Sequence, residues 1–238
     1  VGESSAQIQE AFRWTESGGM VGLGDLPGGI FYSTARGVSA DGSVVVGESV
    51  IENGLEAFRW TALTGMEGIG HLDDLSGGNT SQAFGVSAAG SVIVGAGTSV
   101  ISGGDSEAFR WTESSGMVGL GNLGNFDSIA WAVSANAEAI VGQSRNALNN
   151  VEAFRWTESG GMVGLGDLPG GNSYSVANAV SGDGSVIGGR SHVGVIADDG
   201  TGLTSAFIWD EVNGMRDLQE VLTVSLGLDL GEVILIDA

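Results

Sequence analysis

Five tryptophans, Trp14, Trp60, Trp111, Trp156 and Trp209, each end a copy of one short phrase. It reads Ala-Phe-Arg-Trp at 11–14, 57–60, 108–111 and 153–156, and Ala-Phe-Ile-Trp at 206–209. An indole has a broad apolar face and a polar edge, a surface on which a sugar ring can stack. Five equivalent indoles would therefore give one ligand platform per repeat. The opposing reading is packing between sheets, and the place of each Trp inside an apolar strand favours it. Strand alternation puts Phe12 and Trp14 on one face, and Ala11 and Arg13 on the other. Arg13, Arg59, Arg110 and Arg155 are expected to form a structural ring with acidic neighbours such as Asp25 or Asp167.

Other residues with chemical potential do not converge. His71 and His192 are the only histidines, and they fall at non-equivalent places in the repeat, His71 on a fourth strand and His192 in a loop of the fifth copy. Asp73-Asp74, Asp105 and Asp198-Asp199 are oxygen-rich stretches able to attract calcium, but none has the spacing of an EF-hand loop. Calcium is thus the one metal left open, and no other cofactor is expected. There is no Gly-x-Ser-x-Gly, no His-Glu-x-x-His and no phosphate-binding glycine loop ending in Lys-Ser/Thr. Gly22-Leu-Gly24 and its copies are strand-end glycines with no helix after them. A carboxylate pair for glycoside hydrolysis could be drawn from 29 acidic residues, but no particular pair stands out. No catalytic residue is assigned, and the chain reads as a non-enzyme.

The elements that must carry these residues follow from the repeat. The Trp-to-Trp steps are 46, 51, 45 and 53 residues, a period of blades or solenoid coils. In the copy from Ser173 to Leu218 the strand candidates are 175–180, 185–188, 206–209 and 215–218. Tight turns at Ser181-Gly-Asp-Gly184 and Glu211-Val-Asn-Gly214 separate the first pair and the last pair. Between second and third strands come stretches that differ in every copy: 3–10, 48–56, 96–107, 143–152 and 190–205. Variable loops on a repeated scaffold are one place where binding evolves. No helical period is visible. Four short antiparallel strands per repeat predict an all-β fold, a β-propeller of about five four-stranded blades, with a β-solenoid as the alternative. Trp131, outside the phrase, falls on a first strand and is expected to fill space near the propeller axis.

Residues 1–238 read as one repeat domain, with a longer array left open. Val1-Gly2 matches second-strand positions and Val233–Ala238 first-strand positions, so the two ends could complete one blade between them. The net charge is −21, and all 8 basic residues are arginine. Such a surface repels phosphate backbones and anionic lipid, which argues against nucleic acid as a partner. Acid-rich, lysine-free surfaces also suit a saline setting. No cysteine is present, so disulfides and thiolate metal sites are excluded. No apolar run reaches 18 residues, and no helical membrane insertion of this segment is expected.

The repeats resemble the HAF-type extracellular repeat family of bacteria. The stretches that carry the resemblance are Ala-Phe-Arg-Trp-Thr, Gly-Met-Val-Gly-Leu-Gly-Asp-Leu-Pro-Gly-Gly at 19–29 and 161–171, and Val-Ser-Ala-Asp-Gly-Ser-Val-Val-Val-Gly at 38–47. The segment from Gly214 to Leu222 is similar to that family's C-terminal repeat. At the position of the family's histidine this chain has Glu10, Glu56, Glu107, Glu152 and Ser205, so no role of that histidine carries over. The resemblance implies export to the extracellular space or bacterial cell surface, and no particular activity. The resulting expectation is an exported, non-catalytic recognition or adhesion module with glycans as ligands. A passive spacer of a larger surface protein and a glycosidase-like propeller are the alternatives.

Overall fold

The computed structural model describes residues 9–72, 80–100, 102–124, 126–194, 203–225 and 227. Among these, eighteen strands form five antiparallel sheets in chain order. The first sheet holds β1 (Phe12–Thr15) and β2 (Gly19–Gly22). The second holds β3 (Ser33–Val38), β4 (Val44–Ile51), β5 (Gly54–Thr61) and β6 (Gly65–Gly68). The third holds β7 (Ser81–Val86), β8 (Ile93–Thr98), β9 (Ser106–Thr112) and β10 (Gly116–Gly119). The fourth holds β11 (Ser128–Val133), β12 (Ile140–Arg145), β13 (Val151–Thr157) and β14 (Gly161–Gly164). The fifth holds β15 (Ser175–Val180), β16 (Val186–His192), β17 (Thr204–Asp210) and β18 (Gly214–Asp217). Each four-stranded sheet is a simple meander, and the first strands of successive sheets touch one another. This is a β-propeller. A solenoid would instead pair equivalent strands of successive coils in parallel.

The recurring Ala-Phe-Arg-Trp explains how one sheet packs on the next. Phe109 and Trp111, with Met117, pack on Val44, Val46 and Ala57 of the preceding sheet. Phe154, Trp156 and Met162 meet Val92, Val94 and Ala108 in the same way. The small Ala face of one sheet thus receives the large aromatic face of the next. Phe58, Phe109 and Phe154 are fully buried, and each such burial contributes about 1.5–3 kcal/mol. The glycine opposite each Phe is obligatory. A Cβ at Gly47, Gly95 or Gly142 would lie 1.9 Å from a carbonyl oxygen of the first strand, and against the Phe ring.

Each first strand also carries a bulge, seen as a register shift between Ala35 and Gly37, Ala83 and Gly85, Ala130 and Ala132, and Ala177 and Ala179. A bulge re-aims the extra side chain, here Arg36, Phe84, Trp131 and Asn178. Phe84 and Trp131 meet with ring centroids 4.7 Å apart, and the Arg36 guanidinium stands 5.9 Å from the Phe84 centroid. Arg36 also forms a two-pronged ion pair with the buried Glu48, at 2.7 Å from Nη2. Trp131 fills space beside the other first strands, as expected from its position.

The connection from one sheet to the next turns on a glycine. Gly24, Gly70, Gly121 and Gly166 have φ between 75° and 84°, a region that favours glycine. Their N–H groups donate to the carboxylates of Glu10, Glu56, Glu107 and Glu152 at 2.9–3.1 Å. Their carbonyls accept from Ser33, Ser81, Ser128 and Ser175 at 2.6–2.7 Å. The same serine oxygens accept from the N–H of Ala11, Ala57, Ala108 and Ala153. Glu at the position of the resembled family's histidine is therefore a brace for the corner. In the fifth sheet the pattern is exchanged: Asp217, paired with Phe207, stands where the other sheets have Gly22, Gly68, Gly119 and Gly164, and Ser205 donates to it.

Three expectations need correction. Of the stretches between second and third strands, 48–56 is mostly strand: β4 and β5 leave only Glu52-Asn53 as a turn, because both strands continue beyond the apolar core residues, whereas 102–105 and 146–150 remain loops. The segment after Asp217 is a short helical turn, Leu218–Glu220 continuing as Val221–Ser225, started by Asp217 accepting from the Glu220 N–H. His71 follows β6 and is not within it. The two chain ends proposed to share a blade lie outside the described residues. The serine corner generates a prediction. Ser128→Ala removes the one hydroxyl that accepts from the buried Ala108 N–H and donates to the Gly121 carbonyl, so urea unfolding should show a loss of about 1–3 kcal/mol.

Candidate functional site

The antiparallel order puts two tight turns of every four-stranded sheet at one end: first-to-second strand and third-to-fourth strand. At that end a cleft opens between neighbouring sheets. Between the first and second sheets it measures about 600 Å³ and is lined by Arg13, Asp41, Ser43, Arg59, Trp60 and Glu113, among others. Between the second and third it measures about 700 Å³, lined by Arg59, Ala89, Ser91, Arg110, Trp111 and Glu113. The linings correspond by repeat position, because the same strand ends and turns build both. Another hollow of about 590 Å³ lies against the helical turn, between Leu168 and Thr223, and belongs to the fifth sheet's own ending.

The tryptophans lie at the border between core and cleft. Trp60, Trp111, Trp156 and Trp209 are half-buried and join the cores between sheets. Trp60 and Trp111 also line the clefts. Trp14, in the two-stranded first sheet, is 62% exposed. In the second to fifth sheets Phe lies mid-strand at the centre of the interface and Trp two residues on, at its mouth; in the first sheet Phe12 is itself 52% exposed, so both aromatic residues of that strand stand open.

The arginines depart from expectation. Arg13, Arg59, Arg110 and Arg155 form no ion pair with Asp25 or Asp167, or with any acid among the described residues. Asp25 and Asp167 sit in the connections at the opposite end of the sheets, out of reach. Arg13 instead stands over Trp60, 5.9 Å from the ring centroid, a cation–π arrangement. Nε of Arg110 and of Arg155 is buried without a hydrogen-bond partner. By contrast Arg36, Arg145 and Arg216 pair with Glu48, Asp127 and Asp210. Unpaired guanidinium groups in a chain of charge −21 are the feature that sequence reading missed. The available signal was geometric: an Arg between Phe and Trp must face the next sheet, away from its own acidic corner.

The first turns of the second and third sheets line the two clefts. In residues 39–43 the Asp41 carboxylate accepts from the hydroxyls of Ser39 and Ser43 and from the Ser43 N–H, at 2.7–3.0 Å. These bonds hold its pKa down, from 3.8 to about 2. Asp183 is held at about 2 by the equivalent bonds from Ser181 and Ser185. Asp210 is also lowered, mainly by the Asn213 N–H. Hydrogen bonds that favour the charged form account for all three.

The remaining candidates do not assemble. His71 lies 3.4 Å from the Leu55 carbonyl oxygen beside the second sheet, and His192, at the end of β16 in the fifth, stacks on Tyr174 at 4.3 Å. Of the proposed calcium stretches, Asp73-Asp74 and Asp198-Asp199 lie outside the described residues. Asp105 lies in the turn before β9, its carbonyl accepting from Ser102. Among the described residues no group of three or more His, Asp or Glu side chains gathers as a metal site would require.

No family model and no curated protein matches the chain. Solved structures show the fold. TolB from Acinetobacter baumannii aligns over 86% of this chain with a TM-score of 0.57 and 15% identity. A putative TolB from Agrobacterium tumefaciens aligns over 87% of this chain and 72% of its own length, with TM-score 0.57 and 14% identity. A puromycin hydrolase, solved as its S511A mutant with PGG, aligns over 85% of this chain at TM-score 0.55 and 16% identity. This chain spans 47% of the Acinetobacter TolB and 30% of the hydrolase. These similarities establish a β-propeller and nothing about its ligand.

The turn carboxylates yield a test with a definite sign. Because the Asp41 pKa is lowered to about 2, its turn bonds stabilise the fold above the ordinary carboxylate pKa. They are lost as pH falls through the lowered value. The difference in thermal midpoint between the parent protein and Asp41→Ala should therefore be full near neutral pH and shrink from about pH 4 to about pH 2. A difference that stays constant over that range would show that the bonds to the carboxylate contribute nothing.

Proposed function

We propose that the protein is an exported, non-catalytic recognition or adhesion module of a bacterial surface that binds glycans in the clefts between its sheets. The observation that carries this reading is the recurrence of an unpaired arginine beside a half-buried tryptophan at the mouths of the clefts. A planar donor fork suits sugar hydroxyls and carboxylates, and a partly exposed indole suits the apolar face of a pyranose. Repeated sites also favour multivalent attachment, in which weak single contacts sum to useful avidity. The likeness of the repeats to the HAF-type family supports export.

Two other readings are weaker. A glycosidase needs two carboxylates flanking one site, usually with one pKa raised; the shifted carboxylates here are lowered by their own turns. A passive spacer is favoured by the half-burial of the tryptophans in the cores between sheets, but it leaves the unpaired arginines without a role. A glycan array, read with calcium and with chelator, separates these possibilities. Several related glycans should bind weakly, and Arg59→Gln should reduce that binding about tenfold or more, with an unchanged unfolding midpoint. An empty array in both conditions would leave the spacer as the better description.

A further inference from the structure

We infer that the cleft between the second and third sheets seats the carboxylate of an acidic, uronate-type saccharide, on a turn that has lost its own internal acceptor. This rests on the glycan reading above and names the ligand's chemistry and its place. The first turns of four sheets share one plan: Ser39 to Val44, Ser87 to Val92, Ser134 to Ala139 and Ser181 to Val186. In three of them the third residue turns its side-chain oxygen back on the loop. Asp41 and Asp183 each accept from two serine hydroxyls and a backbone N–H. The Asn136 oxygen accepts from the Ser134 hydroxyl and the Glu138 N–H, at 2.6 and 3.1 Å. In the third sheet this residue is Ala89.

The donors remain although the acceptor is gone. Ser87 is 1% exposed, and its oxygen still accepts from the Val92 N–H at 3.1 Å. Its hydroxyl proton, which the equivalent serines give to Asp41, Asn136 and Asp183, has no acceptor among the described residues. The Ser91 N–H and hydroxyl lack the partner that serves Ser43 and Ser185. The backbone of the turn is otherwise kept, with Gly90 N–H to Ser87 carbonyl at 2.9 Å and Gly90 at φ 70°. The molecule itself thus demonstrates what this donor set holds, namely a carboxylate or amide oxygen. An outside carboxylate would sit above the Ala89 methyl, farther out than an aspartate's own, with Ser91 as its principal contact on the turn.

The surroundings suit the same charge. Arg59 and Arg110 line this cleft, neither has an ion pair, and Nε of Arg110 is buried without a partner. Glu113 is the one acid in the lining, whereas the neighbouring cleft holds both Asp41 and Glu113. The loss of the aspartate therefore leaves the arginines locally in excess. Repulsion from the net charge of −21 does not cancel this, because in physiological salt it is screened beyond about 8 Å. Trp111, at the same cleft, supplies the apolar surface for the ring that bears the carboxylate. A saccharide is favoured over an acidic peptide for that reason.

The test is titration calorimetry with an oligoglucuronate and its carboxyl-reduced counterpart, on the parent protein and two turn variants. The acidic saccharide should bind about tenfold or more tightly than the reduced one. Ala89→Asp and Ala89→Asn each restore the internal acceptor that other sheets possess. Both should lose about tenfold in oligoglucuronate affinity, bind the reduced saccharide as before and unfold at no lower temperature. Loss with the neutral Asn variant separates occupation of the seat from simple charge repulsion. Ser91→Ala, which adds nothing to the turn, should weaken the acidic saccharide alone. Equal affinity for both saccharides overturns the inference while the glycan reading stands. So does an unchanged affinity in Ala89→Asn, or equal competition by a poly-glutamate peptide. Binding of neither saccharide, together with an empty array, overturns both.

Discussion

Everything in this propeller hangs on a left-handed glycine held from two sides. At each corner, Gly24, Gly70, Gly121 or Gly166 gives its N–H to a glutamate of its own sheet and its carbonyl to a serine of the next. A buried peptide group without partners would cost more than most single contacts contribute. Here both halves are satisfied, and the satisfying groups belong to two sheets. The serine has a second duty, because its oxygen takes the N–H of the alanine that begins Ala-Phe-Arg-Trp. Corner, strand three and the following sheet are thereby fixed in one relation. That relation sets the distance at which an aromatic face can meet an alanine face.

From this spacing the clefts follow. Phe58, Phe109, Phe154 and Phe207 fill the middle of their interfaces, each opposite a glycine too crowded for a Cβ. Two residues on, where the sheets diverge toward their turns, the Trp is only half covered. The Arg on the opposite face looks across to the next sheet's Trp, as Arg13 does to Trp60. Acidic corner residues lie at the far end and cannot neutralise it. The unpaired arginines are thus a geometric consequence of an alternating strand whose two ends carry opposite kinds of residue. Desolvating the buried Nε of Arg110 and Arg155 without a partner costs stability, which argues for a return in binding.

The fold was legible in the sequence because its signals are local and repeated. The Phe–Trp alternation, the Asp-Gly turns and the interval between copies each point to short antiparallel strands of the same order. Other features were not legible because they depend on partners distant in the chain. Nothing local says that Glu10 braces Gly24, or that Arg13 misses Asp25 and meets Trp60. The helical turn after Asp217 was hidden for a similar reason, since Leu218 to Leu222 carries no helical period and is set by one cap. The reading of the stretches 48–56 and 143–152 as loops erred on length alone: strand pairing continues through polar residues once the register is set.

Repetition also tells where to look for function. Positions that hold the corner and the interface recur, Gly24 with Gly70, Phe58 with Phe109, because any change there breaks packing between two sheets. Departures gather where the backbone is already fixed by others. The bulged residue of each first strand is one such place: Arg36, Phe84, Trp131 and Asn178 comprise a cation, two aromatic rings and an amide while the bulge persists. The third residue of the first turn is another, since Gly90 and the Ser87–Val92 bonds keep the loop closed without an aspartate. A departure that merely drifted would be expected to shed the donors along with the acceptor. Sheet three kept Ser87 and Ser91 and lost only the oxygen between them. A polar seat retained without its occupant, at the mouth of a cleft with two free guanidinium groups, is the arrangement in which a ligand supplies what the chain omits.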